Sequence, residues 1–192
     1  EASKLASELN DDLQEMCEAS RGRLFGFGVV AAQQPRTAAK EVERMMRELP
    51  LIKGIILGST GAGKGLDDPE LDPLFAACEA TGCMIFLHPH YGVGTEHFSG
   101  TGHSLFLGLG FPFETTTAAA RLIVSGTLDT FPGLKLLLAH SGGTLPFLAG
   151  RLDSCVAHDL AISQRLEHAP SDYLRRMYFD STIYHEPGLK AL

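Results

Sequence analysis

Short runs that are apolar at nearly every position alternate along this chain with longer segments in which apolar residues recur every three or four positions. The short runs are RLFGFGVV (Arg23 to Val30), GIILG (Gly54 to Gly58), CMIFLH (Cys83 to His88), KLLLAH (Lys135 to His140) and RMYFDS (Arg176 to Ser181). Strands covered on both faces read this way, without the alternation of a half-solvated sheet. The longer segments are Ser3 to Glu18, Thr37 to Leu49, Pro69 to Gly82, Glu114 to Phe131 and Leu145 to Ile162, and they read as helices, with Gly82 as a C-cap signal. Strands and helices in alternation predict an α/β chain with a parallel sheet. There are no tandem repeats, so residues 1–192 are expected to form a single domain. The longest irregular stretch, Pro89 to Phe113, follows the third strand and carries three histidines. Its length and position predict a functional loop rather than a linker.

Composition narrows the partners. The net charge is −7, with 16 Lys and Arg against 23 Asp and Glu, so no global positive field attracts a phosphate backbone, and nucleic acid is not an expected partner. No apolar run reaches the roughly eighteen residues a membrane span needs. EASKLASELNDDL at the start is no signal peptide. Cys17, Cys78, Cys83 and Cys155 form no C-x-x-C pair and read as reduced small apolar residues in a cytoplasmic protein. The chain opens without methionine, and a longer protein is expected around it.

GSTGAGK, Gly58 to Lys64, imitates a phosphate-binding loop with one position missing. Such a loop needs a Ser or Thr after the lysine and a helix beginning there. Here Gly65 follows, and Asp68 and Pro69 place the helix start several residues later. A Gly-rich connection between strand and helix is the expected structure, and a nucleotide-binding module stays the remotest functional reading.

The informative polar residues are His88, His140 and Asp180, each at the carboxyl end of an apolar run, which in a parallel α/β fold is the functional face. One strand-end histidine is ordinarily a core residue satisfied by a hydrogen bond. Two such histidines on neighbouring runs suit zinc or another divalent ion, provided neighbouring strands add ligands. In HPH, His88 to His90, Pro89 ends the ladder. His88 then has the fixed direction a metal ligand requires, and His90 is read as lining the substrate loop. His97 and His103 sit among glycines as solvent or pocket lining, and His158, His168 and His185 carry no assigned chemistry.

Taken together, FLHPHYG, LGLGFPFETT and LLLAHSGGTLPFLAGRLDSCVAHD resemble the amidohydrolase-superfamily decarboxylases, the group containing 2-amino-3-carboxymuconate-6-semialdehyde decarboxylase. The wording is nearest to the uracil-5-carboxylate (isoorotate) subgroup and extends from about Leu24 to the end. The resemblance implies a (β/α)8 barrel holding a divalent metal, usually zinc, through H-x-H on strand one, a histidine on strand five and an aspartate on strand eight. His88 matches the strand-five ligand and His140 the strand-six histidine that orients the reacting group. HPH is not the first-strand H-x-H, because at least two strand–helix units precede it.

About five strands are legible, whereas a closed barrel has eight and about 250 residues. The chain is therefore expected to cover about strands 3 to 7, incomplete at both ends, with the regions of strands 1–2 and 8 and their ligands outside it. Asp180 ends the strand before the family's proton-carrying aspartate and is read as a second-layer acceptor. The implied reaction is non-oxidative decarboxylation of a small cyclic or unsaturated acid, of the uracil-5-carboxylate or aminocarboxymuconate semialdehyde type. A metal-dependent lactone or amide hydrolase, or a hydratase, on the same barrel is the alternative. Arg151, in LAGRLD, reads on its own as a surface salt bridge with Asp153 or a nearby acid. The resemblance instead implies a homodimer in which Arg151 binds the substrate carboxylate of the neighbouring subunit.

Overall fold

All five apolar runs form strands, and all pair in parallel in the order β1-β2-β3-β4-β5. The computed structural model describes residues 1–190, so the single domain expected over 1–192 is described to within two residues of its end. The order is α1 (Ala2–Ala19), β1 (Gly26–Gly28), α2 (Pro35–Glu48), β2 (Ile52–Gly58), α3 (Asp72–Thr81), β3 (Met84–His88), α4 (Phe111–Val124), α5 (Thr127–Thr130), β4 (Lys135–Leu138), α6 (Leu145–Ala157), α7 (Leu160–Ser163), α8 (Pro170–Leu174), β5 (Tyr178–Phe179) and α9 (Glu186–Leu189). Five consecutive parallel strands with helices between them form an arc of a (β/α)8 barrel.

The arc buries one face. Ile55 and Leu57 of β2, Ile85 and Leu87 of β3, and Leu136 and Leu138 of β4 are buried, packed with Val42 and Met45 of α2, Leu74, Phe75 and Cys78 of α3, and Leu122 and Ile123 of α4. The alternate residues Phe27, Ile56, Phe86 and Leu137 are only half-buried. The expectation of two equally covered faces is therefore corrected. In a closed barrel the second face is filled by inward side chains from all eight strands, and five strands leave that interior open.

Several boundaries also differ. Glu114 to Phe131 is not one helix, because Gly126 at φ 80° breaks it into α4 and α5. Leu145 to Ile162 is likewise split, with Asp159 accepting from the Ala161 and Ile162 N–H groups to start α7. The irregular stretch Pro89 to Phe113 ends early, because a π-helical turn, Phe106–Gly110, leads straight into α4. The short helices α8 and α9 were not legible in the periodicity.

Candidate active site

β3 aims His88 into the concave side of the sheet. Period-two alternation sends Ile85 and Leu87 to the helices and Met84, Phe86 and His88 the other way. His88 is the last residue of the strand, since Pro89 has no N–H to continue the ladder. His88 Nδ1 lies 2.8 Å from the Pro89 carbonyl oxygen. A carbonyl only accepts, so Nδ1 carries the proton and the Nε2 lone pair is left for an outside partner. This is the tautomer fixing that metal-binding histidines use. The His140 ring is centred 5.4 Å from that of His88, and Phe111 stands against both, at 6.1 Å from His88 and 5.9 Å from His140.

His140 reaches this place by an unusual route. β4 stops at Leu138, so His140 does not end the strand as the apolar run implied. His140 and Ser141 both have left-handed backbones, at φ 54° and 53°, and Gly142 and Gly143 continue at φ 74° and 66°. Each non-glycine residue in that region costs about 1–2 kcal/mol and needs support from elsewhere. Asp180, the residue after β5, provides it. Its carboxylate accepts from the backbone N–H of His140 at 3.0 Å, of Ser141 at 2.8 Å and of Thr182 at 3.0 Å, while Ser141 Oγ donates to the Asp180 carbonyl. Gly143 packs against the Pro112 carbonyl with no room for a Cβ, bringing the turn up to the start of α4.

The electrostatics follow from these contacts. His140 titrates below its ordinary range, chiefly because burial disfavours its cation, with a further contribution from His88 and an opposing one from Asp180. Its Nδ1 is buried without a protein partner. Burial raises the Asp180 carboxyl, but the N–H groups of Ser141, Thr182 and His140 outweigh it, leaving the pKa depressed. A depressed carboxylate contributes stability that is fully present above its unfolded pKa and is lost as pH falls through the folded value. Unfolding free energy is accordingly expected to fall on acidification below the ordinary carboxylate range. Asp180→Asn, which leaves N–H groups facing an amide, should flatten that acid slope and cost about 1–3 kcal/mol at neutral pH. Urea titrations across pH measure both, and an unchanged slope in the variant would contradict the assignment.

A second carboxylate, which the sequence reading missed, organises the loop after β3. Glu114 is 6% exposed, and its carboxylate accepts from the N–H groups of His90 (3.0 Å), Tyr91 (2.9 Å) and Gly92, and from Ser59 Oγ. Burial raises its pKa, but the Ser59 hydroxyl and these backbone donors reverse the shift and lower it. In the sequence it looks like an ordinary acid near a helix start, and the segment LGLGFPFETT was its only signal. His90 itself lies 6.3 Å from His88, ring centre to ring centre. A cleft of about 410 Å³, lined in part by Leu107, Pro112, His140, Thr144 and Tyr184, opens on one side of the imidazoles. Another of about 370 Å³, lined in part by Val30, Ile56, Gly58 and Tyr91, opens at His90.

Other candidate residues lie apart. Arg151 is exposed on α6, and Asp153, its expected neighbour partner, accepts instead from the Ser171 N–H. His97 is exposed and faces Glu96, and His103 is exposed. Lys64 is turned into its own loop toward Asp68 at 3.4 Å and Glu70 at 3.1 Å, and the following helical turn starts at Pro69, with Asp68 capping it. Neither the lysine nor a helix N-terminus is presented as a phosphate loop requires.

The parallel α/β arc thus carries His88 at the carboxyl end of β3 and His140 in the turn two residues past the end of β4. The chain belongs to the amidohydrolase family, whose model matches residues 2–190. It is 34% identical over 195 residues to 2-amino-3-carboxymuconate-6-semialdehyde decarboxylase of Dictyostelium discoideum, covering 100% of this chain and 53% of that one. Among solved structures it superposes on apo IDCase of Metarhizium anisopliae with TM-score 0.92 and 43% identity, over 99% of this chain and 53% of that one. It superposes on 5-carboxyvanillate decarboxylase LigW2 of Novosphingobium aromaticivorans, solved with bound manganese, with TM-score 0.84 and 31% identity, over 98% and 56%. The chain thus spans about half the length of the relatives it matches.

The residues present fit part of a divalent-metal centre. His88 offers a directed Nε2, and the His140 ring stands beside it. Among the described residues no group of three His, Cys, Asp or Glu side chains is placed to hold an ion.

Proposed function

We propose that this chain is the central part of a metal-dependent, non-oxidative decarboxylase acting on a small aromatic or otherwise unsaturated ring acid. The observation that carries the reading is His88, whose Nδ1 proton is committed to Pro89 and whose Nε2 opens beside the His140 ring at the mouth of a parallel sheet. The similarity to decarboxylases across nearly the whole chain supports it.

In this reading His88 holds the metal; zinc is the ion proposed, as one that imidazole commonly ligates, and manganese is the one in the Novosphingobium enzyme. The bound cation would supply Lewis-acid stabilisation of negative charge on a substrate oxygen. His140, fixed by the left-handed turn, orients the reacting group. The bond from ring carbon to carboxylate breaks, carbon dioxide leaves and a proton takes its place on the carbon. Asp180 is not the proton carrier, because its oxygens are committed to three backbone N–H groups. The Leu107, Pro112 and Tyr184 side of the cleft gives an apolar wall for a ring.

The test is carbon dioxide release by the full-length protein, with metal analysis, from uracil-5-carboxylate, aminocarboxymuconate semialdehyde, gamma-resorcylate and 5-carboxyvanillate. Turnover of one of these that is abolished by chelation supports the reading. Ring opening without gas release would replace it with a hydrolase.

We place the enzyme in the cytoplasm as a homodimer. Three of its four free cysteines are buried, as suits a reducing compartment, and no helix among the described residues is long and apolar enough to cross a membrane. α6 presents Phe147, 91% exposed, beside exposed Arg151. In this dimer Arg151 grips the substrate carboxylate of the neighbouring subunit through its paired N–H donors. Mixing His88→Ala with Arg151→Ala subunits, each inactive alone, should restore roughly a quarter of wild-type activity, because half of randomly assorted twofold dimers are mixed and each has one intact site. Demonstrated subunit exchange without recovery would remove Arg151 from the site.

A further inference from the structure

We propose that Glu114 is a positioning residue that sets the place of the His90 imidazole, an inference that rests on His90 lining the substrate site of the decarboxylase read above. The polypeptide leaves β3 through Pro89, and the next three residues turn all their N–H groups onto one carboxylate, at His90, Tyr91 and Gly92. Three successive backbone donors converging on an anion form a nest. Glu114 fills it from α4, so the loop is fixed to a helix rather than to its own strand.

The same carboxylate accepts from Ser59 Oγ, in the residue directly after β2. One side chain therefore joins the exits of two neighbouring strands. The His90 ring is located from the other side by Gly58, the last residue of β2, where an added Cβ would stand 2.5 Å from His90 Cδ2. Backbone and ring are thus held by separate contacts, the first by Glu114 and the second by the absence of a side chain at Gly58. Glu114 also lines a cleft of about 210 Å³, together with Thr60, Lys64, Leu66 and Arg121 among others. It acts on the site only through the loop. Lys64 and Arg121, the nearby cations, are taken up by Asp68 and Glu70 and by Asp67 respectively. The charge on Glu114 is therefore met by the nest and the hydroxyl.

The amide of Glu114→Gln cannot serve all four donors, because its NH2 group faces N–H groups. In the full-length, metal-loaded enzyme, hydrogen exchange of the peptide covering residues 90–92 should speed up at least about tenfold in this variant. kcat/KM should fall about 10- to 100-fold, the range for partners that orient a site residue. In a His90→Ala background the same substitution should cost less than about threefold, since the ring it positions is gone. Ser59→Ala, which removes one donor and keeps the carboxylate, should give a smaller loss with the same collapse, and it serves if Glu114→Gln does not fold.

Unchanged exchange at residues 90–92 would overturn the clamp. Equal losses with and without the His90 ring would overturn the route through His90. Faster exchange in a protein that decarboxylates none of the acids would uphold the clamp and sink the decarboxylase reading instead.

Discussion

His88→Ala in the full-length enzyme is expected to lose most of the bound divalent metal and to lower kcat by at least about 10³-fold. Every protein ligand contributes directly to a three- or four-ligand centre, so removing one weakens binding sharply. The metal's share of transition-state stabilisation is several kcal/mol, and about 4 kcal/mol corresponds to a thousandfold. The fold should survive, because the His88 side chain lies on the half-buried concave face and its strand is anchored by Ile85 and Leu87 on the other. Metal content by mass spectrometry, with circular dichroism as the folding control, reads the result. Full occupancy after the substitution would take His88 out of the metal centre.

His140→Asn separates the neighbouring imidazole from the metal. Turnover should fall about 10²- to 10³-fold, the cost of removing one polar group that meets developing charge, while metal content stays near wild type. Asparagine is the right replacement because residue 140 has a left-handed backbone, which asparagine tolerates and alanine does not. The Asp180 contacts use the backbone N–H of residue 140 and are untouched by the change. A melting temperature close to wild type would then show that the loss comes from the ring and not from an unwound turn. Parallel loss of metal and activity would make His140 a ligand.

Periodicity identified the layers of this molecule well and its junctions poorly. Buried parallel strands are apolar at every position, so CMIFLH and GIILG announced themselves whatever surrounds them, and α3 ended at Gly82 (φ 69°) as its sequence implied. KLLLAH looked like a strand running to its histidine, yet the strand stops two residues short. The cause is Asp180, forty residues further on, which captures the His140 and Ser141 N–H groups that a longer strand would have offered to the ladder.

The chain by itself determined the α/β class, the strand order's raw material and the candidate histidines, since each depends on local composition or on spacing within one element. Tertiary structure alone decided which imidazole stands next to which, which nitrogen of His88 is left open, and that Glu114 is a loop anchor rather than a helix-start acid. The physical reason is range. Ser59 lies 55 residues before Glu114 and Asp180 lies 40 after His140, and a hydrogen bond between such partners leaves no period in the sequence. It exists only after parallel pairing has brought the carboxyl ends of the strands together, where buried donors and acceptors must find one another.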